Sequence, residues 1–240
     1  MSPSEAKKVR PNASLISTAA QYGVPVAKLL SMLPIYTNVT NVGRAHPGFD
    51  WLIEATDVFH KNERLRVQMV ELLSAWDLGL SDVEIREVTF TDPTDTKLTK
   101  EPFPFGVHKN GKKTATRIFV HESSGTQGAY VLLSRILPAL AKGGLAVIDE
   151  LEADLHPYML VPIFDLFFSP ETNPRNAQII FTCHAAEILN LLQKQQIMLV
   201  EKDEHGNSDA WRLDSIQGVR KDDNLYAKYM AGAYGAVPRI

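Results

Sequence analysis

The 240 residues, 45% of them hydrophobic, are enough to bury one sizeable core or two modest ones, which excludes a disordered tail. A formal charge of −3 offers no global attraction to nucleic acid, whose non-specific affinity comes largely from neutralised phosphates, so a DNA contact would need a local basic patch. The single cysteine, Cys183, excludes an intramolecular disulfide, Met1-Ser-Pro-Ser-Glu5 lacks the basic and apolar regions of a secretory signal, and the apolar stretches Val131 to Ile148 and Leu155 to Phe168 are interrupted before membrane-spanning length; we expect a reduced cytoplasm and no transmembrane anchor.

The first elements in chain order read as helical and peripheral. Asn12 or Ser14 is placed to cap a helix running to Tyr22, Gly23 ends it, and Pro25 starts a shorter helix to Leu33. Residues 34 to 48 hold two prolines, two glycines and no periodicity, and read as a loop. Asp50 is placed to cap a helix that carries Trp51, Leu52, Ala55, Val58 and Phe59 at helical spacing, and a second amphipathic stretch runs from Leu65 through Trp76 and closes at Gly79.

From Val83 the period changes. Val83 to Phe90 alternates as a half-buried strand does, and Asp92 to Glu101 reads as polar and solvent-exposed. Phe103 to His108 and Ala115 to His121 bracket Lys109-Asn110-Gly111-Lys112, a strong hairpin signal. Ser124 to Ala141 then reads as a helix, Leu145 to Ile148 as a buried strand, and Pro157 as a helix start. Ala177 to Thr182 is the next buried strand, Ala185 to Leu192 a short helix and Gln196 to Glu201 a further strand. Strands alternating with helices imply right-handed crossovers and a parallel sheet. The expected organisation is a helical region over residues 1–82 followed by an α/β region over 83–240.

Chemistry concentrates at three places. Glu122-Ser123-Ser124-Gly125-Thr126-Gln127 sits where strand gives way to helix, and a helix start with exposed amides favours an anion. Alone, it reads as an ordinary helix cap; its position ahead of an acidic strand end reverses that reading. Asp149 and Glu150 end the apolar run Leu145 to Ile148, at the carboxyl end of a strand, where open α/β sheets bind ligands. In phosphoryl transfer an acidic residue there holds magnesium and its neighbour orients water; side chains alternating along a strand would face Asp149 to the metal and Glu150 to the γ-phosphate. The competing reading is a solvated acidic loop formed with Glu152 and Asp154. His184, at the end of the next buried strand, is placed to meet a terminal phosphate, or else is a packed core histidine.

In that order, Ser124-Gly125-Thr126-Gln127, Leu145 to Glu150, Asp154 and His184 resemble the signature motif, Walker B, D-loop and H-loop of ABC-type ATPases. More narrowly, Glu122 to Gln127, Asp149 to Pro157, Gly218 to Asn224 and Tyr234-Gly235 resemble the AAA/ABC-like ATPases associated with bacterial abortive infection and phage defence. The resemblance is strong from about Phe119 onward and weak before it; Thr126 stands where many transporters have a second glycine. It implies a P-loop NTPase-like α/β fold, ATP and magnesium as cofactors, and work as a head-to-tail dimer with a second ATPase protomer. It further implies that Asp149 binds magnesium, Glu150 acts as base or water-orienting group and His184 senses the γ-phosphate. Ser124 and Gly125, with Thr126 and Gln127 in the same motif, would contact nucleotide held by the second protomer, with Asp154 at the dimer junction.

The matching phosphate loop, G-x-x-x-x-G-K-[ST], occurs nowhere in the chain, and by the resemblance it should precede Met1 or come from another chain. Gly106-Val-His-Lys-Asn-Gly111-Lys112-Lys113 mimics it by count, but Lys113 replaces the magnesium-binding hydroxyl residue and the segment lies in an expected hairpin. Lys109, Lys112, Lys113 and Arg117 read as a solvated turn. Two other functions compete: a non-enzymatic module that keeps this architecture to bind an effector protein, and a DNA-maintenance ATPase whose basic patch forms on assembly.

Overall fold

The computed structural model describes residues 2–10, 13–40, 43–44, 48–76, 78–91, 98–153 and 155–237. Its contacts divide the chain into two compact units, Met1–Asp149 with Leu166–Phe181, and Glu150–Asp165 with Thr182–Ile240.

In the first unit a single turn, α1 (Pro3–Ala6), precedes α2 (Leu15–Gln21) and α3 (Pro25–Ser31). Ser14 caps α2 by accepting from Ser17 N–H, Gly23 turns the chain at φ 81°, and Pro25 opens α3 where its missing N–H costs nothing. Asn12 lies outside the described residues. These two helices bury only Ala19 and Ala27 and leave Tyr22, Val26, Leu29 and Met32 exposed.

The expected loop over 34–48 is corrected by the structure. β1 (Ile35–Thr37) pairs parallel with β7 (Leu145–Ile148), which pairs parallel with β8 (Gln178–Phe181), giving the order β1-β7-β8. Two further short strands, β2 (Val39–Thr40) and β3 (Gly43–Arg44), pair antiparallel with each other. Three residues are too few to carry a period, so β1 exists through its partner: Leu145 N–H donates to Pro34 O at 2.9 Å. Gly144 permits that approach, because a Cβ there would lie 2.5 Å from Pro34 O.

α4 (Phe49–Lys61) is capped by Gly48, with the expected cap Asp50 instead in the first turn, where the helix dipole favours a carboxylate. α5 (Glu63–Ala75) is capped by Asn62. Both helices pack on α6 (Ser124–Lys142), whose residues Ala129 to Leu140 are all buried; a helix apolar all round belongs in a core. Tyr130 lies at the centre of this packing. Its ring meets Phe59 and Phe119 at 5.1 and 4.7 Å, its hydroxyl bonds Thr56 Oγ1 at 3.0 Å, and burial pushes its ionisation well above the usual phenol range. Arg135, nearly buried on the same helix, is held by Glu54 at 2.9 Å and stacks over Trp51.

β4 (Asp82–Thr91), β5 (Leu98–Asn110) and β6 (Lys113–Ile118) form an antiparallel sheet. β5 starts earlier than expected: Leu98 to Glu101, read as exposed polar chain, pair with Val88 to Thr91. Residues 92–97 of that stretch lie outside the described residues. Gly106 to Asn110 belong to β5, Gly111 turns the chain at φ 58° and Lys113 begins β6, so the segment that mimics a phosphate loop is a hairpin. The expected strand to His121 ends at Ile118, and Phe119–His121 is a 3-10 turn.

In the second unit Pro157–Met159 is a 3-10 turn leading into α7 (Leu160–Phe168), within which the chain returns to the first unit after Asp165; Ala186–Leu191 is a 3-10 segment where an α-helix was expected. A larger correction concerns the strand after it. β9 (Met198–Lys202) does not join the parallel sheet but pairs antiparallel with β10 (Ser208–Arg212). The pairing with β10 is set locally: Asp203 accepts from the N–H groups of His205 and Asn207 and from Asn207 Nδ2, closing a tight turn that can join β9 only to an antiparallel neighbour. The same bonds, Asn207's first, hold the Asp203 carboxyl below its usual range. Ile197, Leu199, Leu213, Val219, Leu225 and Tyr234 form the unit's own core beside α8 (Leu225–Met230), which Asn224 caps.

The architecture is thus mixed α/β, with a three-stranded parallel sheet flanked by helices. Among the described residues no helix is long and apolar enough to cross a membrane.

Candidate functional site

β7 ends at Ile148, so Asp149 and Glu150 both stand beyond the strand. The Asn38 side chain, one residue past β1, clamps Asp149 from both sides: Asn38 Nδ2 donates to Asp149 O at 2.9 Å and Asp149 N–H donates to Asn38 Oδ1 at 2.8 Å. A side-chain amide here continues the parallel ladder by one step and holds the Asp149 backbone with two bonds. Asn38→Asp keeps the shape but replaces the donor with an acceptor. We expect a loss of about 1–3 kcal/mol from one unsatisfied carbonyl, read as a lower urea midpoint by circular dichroism.

Glu150 departs from the expected strand alternation. Its φ is 49°, a left-handed conformation that only two other described non-glycine residues, Asn176 and Ala236, share. The direction of its side chain is therefore set by a turn, not by a pleat, and such strain persists only where the surroundings impose it. Thr182 imposes it here: Glu150 N–H donates to Thr182 Oγ1 at 2.8 Å and Leu151 N–H to Thr182 O at 3.0 Å. A third bond ties the same two segments, from His184 N–H to Glu152 Oε1 at 2.6 Å. The His184 ring is 82% exposed, with Nε2 3.9 Å from Glu150 Oε1. This excludes the packed-core histidine and leaves a ring nitrogen and a carboxylate together at the surface of the second unit.

Glu152 turns its other oxygen, Oε2, into a buried position without a hydrogen-bond partner among the described residues. The neighbouring Cys183 thiol is pushed up to about 12, by burial first and by the Glu152 carboxylate in the same direction. At pH 8 almost none of it is thiolate. Alkylation of Cys183 by iodoacetamide is expected to run on the order of 10³-fold slower than that of a free cysteine, measured by mass spectrometry against a model thiol.

The signature-like segment opens α6. Ser123 is its cap, with Oγ accepting from Thr126 N–H at 3.1 Å and paired with Thr126 Oγ1 at 2.8 Å. Thr126 is buried, and Gln127 Nε2 donates to the carbonyls of Val120 and Glu122 at 3.2 and 2.9 Å. Both side chains therefore serve the loop's own shape. Ser124 and Gly125 occupy the first two helical positions, where backbone N–H groups have no partner within the helix; Ser124 is exposed and Gly125 half-buried.

The structure thus brings Glu150 and His184 together, sets Asp149 at the end of β7, and builds Ser124 to Gln127 as a separate helix start. Asp154 lies outside the described residues. Sequence reasoning missed Asn38, which sits in a segment without periodicity. Thr182 figured there only as a flank of His184, and Glu152 only as part of an acidic loop. Among the described residues no three His, Cys, Asp or Glu side chains gather as a metal cage. Magnesium at a phosphoryl-transfer site needs none, since one or two carboxylates, substrate phosphates and water complete its shell. Asp149 at a strand end suits that donor set.

The family described as "AAA domain, putative AbiEii toxin, Type IV TA system" matches residues 51–190, more than half of the chain. That span contains all but the first two residues of α4, the whole of α5, α6, β7 and β8, and every candidate site residue from Ser124 to His184. No curated protein matches the chain.

Proposed function

The chain belongs to this AAA-domain family, whose members are nucleotide-binding, ATPase-type domains, and we propose that it carries the hydrolytic and partner-facing groups of an ABC-type ATP site. The reading rests on the Glu150 turn, where a carboxylate in a strained backbone conformation, three hydrogen bonds tying residues 150–152 to 182–184, and an exposed histidine 3.9 Å away meet just past a parallel strand.

In this reading ATP is the substrate. Glu150 orients the attacking water and accepts its proton as the water oxygen bonds the γ-phosphorus and the β–γ bridge breaks, releasing ADP. His184 donates a hydrogen bond to the γ-phosphate. Asp149 holds Mg²⁺, which neutralises charge on the phosphates. Ser124 and Gly125 offer their first-turn N–H groups to the γ-phosphate of ATP held by a second protomer, with Thr126 and Gln127 shaping that loop and Asp154 at the junction of a head-to-tail dimer. The phosphate loop comes from outside these 240 residues, in a longer protein or another chain, because its pattern occurs nowhere in them. The family's printed description names a putative toxin of a type IV TA system, and in this reading the ATP site drives a switch in a bacterial defence or DNA-related system that acts on an effector protein.

The test compares the chain alone with the chain joined to a phosphate-loop lobe, each with Mg²⁺ and ATP. Phosphate release is expected only from the completed protein. No turnover after completion, together with partner binding that ignores ATP, would establish the non-enzymatic module instead.

A further inference from the structure

Glu122 stands one residue before the cap of α6 and its side chain is only 4% exposed. A buried carboxylate is tolerated where it is paired and hydrogen-bonded, and here both oxygens have partners. Oε1 lies 2.8 Å from His108 Nε2 on β5, and Oε2 lies 3.8 Å from Arg117 Nη1 on β6. The other ring nitrogen of His108 lies 2.8 Å from Gly79 O, which can only accept. Nδ1 therefore carries a proton, and a second proton lies between Nε2 and the carboxylate. Strand β5 makes room for this arrangement: a Cβ on Gly106 would lie 2.6 Å from Glu122 Oε1. The backbone of Glu122 is engaged as well, since its carbonyl accepts from Gln127 Nε2 and its N–H donates to Phe119 O.

We propose that His108 and Glu122, with Arg117 alongside, form a hydrogen-bonded clamp that holds the loop Ser123–Gly125 against the antiparallel sheet, making His108 a positioning residue for the amides of Ser124 and Gly125. The role assigned to those amides rests on the nucleotide reading above; the clamp does not. A hairpin and a helix start joined through a buried carboxylate move together, so displacement of β5 and β6 is carried into the loop. Removing His108 leaves Glu122 buried with its close partner gone, and the carboxylate then seeks water by pulling the loop outward.

The experiment follows backbone amides of the whole chain by ¹H–¹⁵N spectroscopy and hydrogen exchange. His108→Ala and Glu122→Gln are each expected to shift the Ser124 and Gly125 resonances. Exchange at Thr126 and Gln127 should become about tenfold faster, the scale of one hydrogen bond to a charged group. His108→Gln, whose side-chain amide reaches the Nε2 position, is expected to restore wild-type values, which mere filling of space would not do. Wild-type shifts and exchange in both disrupting variants, or failure of His108→Gln to restore them, overturns the clamp. Adding Mg-ATP to the completed protein separates the two ideas: unmoved Ser124 and Gly125 resonances there would remove their nucleotide role and leave the clamp to stand on the exchange data.

Discussion

Glu150→Gln, in a protein completed with a phosphate loop, is expected to lower ATP turnover by about 10²–10⁴-fold while magnesium-dependent ATP binding persists. Glutamine has the same length and the same tolerance of the left-handed turn, so the hydrogen bonds of Glu150 N–H and Leu151 N–H to Thr182 remain. What disappears is the oxygen that accepts a proton from water. Glu150→Gly separates the geometry from the chemistry. Glycine adopts a φ of 49° without the steric cost that a side chain incurs there, about 1–2 kcal/mol. That variant is expected to melt at the same or a higher temperature than the parent and to be as inactive as Glu150→Gln. A stability gain coupled to loss of turnover is the signature of strain held for function. Turnover at the parent rate in Glu150→Gln would remove Glu150 from the water step.

Gly144→Ala is expected to destabilise the first unit by about 1–3 kcal/mol, the range for forcing a methyl group into a filled space. Its Cβ would meet Pro34 O at 2.5 Å and Pro34 Cγ at 3.0 Å, and the nearest of these is backbone. A flexible side-chain tip can swing away; a carbonyl that already accepts from Leu145 N–H cannot move without breaking the first bond between β1 and β7. The effect extends to the candidate site. Displacing β1 withdraws Asn38, and Asp149 then loses both backbone bonds that hold it. The measurement is a urea titration combined with amide exchange at Asp149. An unchanged midpoint with a protected Asp149 amide would mean that β1 yields without cost. The pairing would then not be what holds Asp149.

The candidate site was legible in part because its residues are close neighbours of apolar strands in the chain. Asp149, Glu150 and His184 each follow a short apolar strand, and that pattern is read from neighbours in sequence alone. The helix from Ser124 was equally plain, since nineteen residues with an apolar surface and a glycine after Lys142 leave few alternatives. β1 and β10 were not legible. Ile35 to Thr37 is shorter than any period, and Ser208 to Arg212 is polar enough to pass for a loop until β9 turns back onto it. The strand alternation behind the opposing directions expected for Asp149 and Glu150 does not reach them, because the strand stops at Ile148 and Glu150 takes a left-handed turn.

By itself, then, the amino-acid sequence determined where the acidic pair and the histidine lie relative to two apolar strands, because an apolar run with polar ends satisfies its backbone in few ways other than a strand; that β8, expected to be buried, leaves Ile180 exposed was decided by the tertiary structure. Tertiary structure alone decided what holds them. Asn38 reaches Asp149 across 111 positions of chain, Thr182 bends Glu150 from 32 positions away, and His108 meets the buried Glu122 across 14. Each of these contacts depends on parallel pairing, a turn or a hairpin bringing distant backbone within hydrogen-bond reach, and no local pattern of residues encodes that distance.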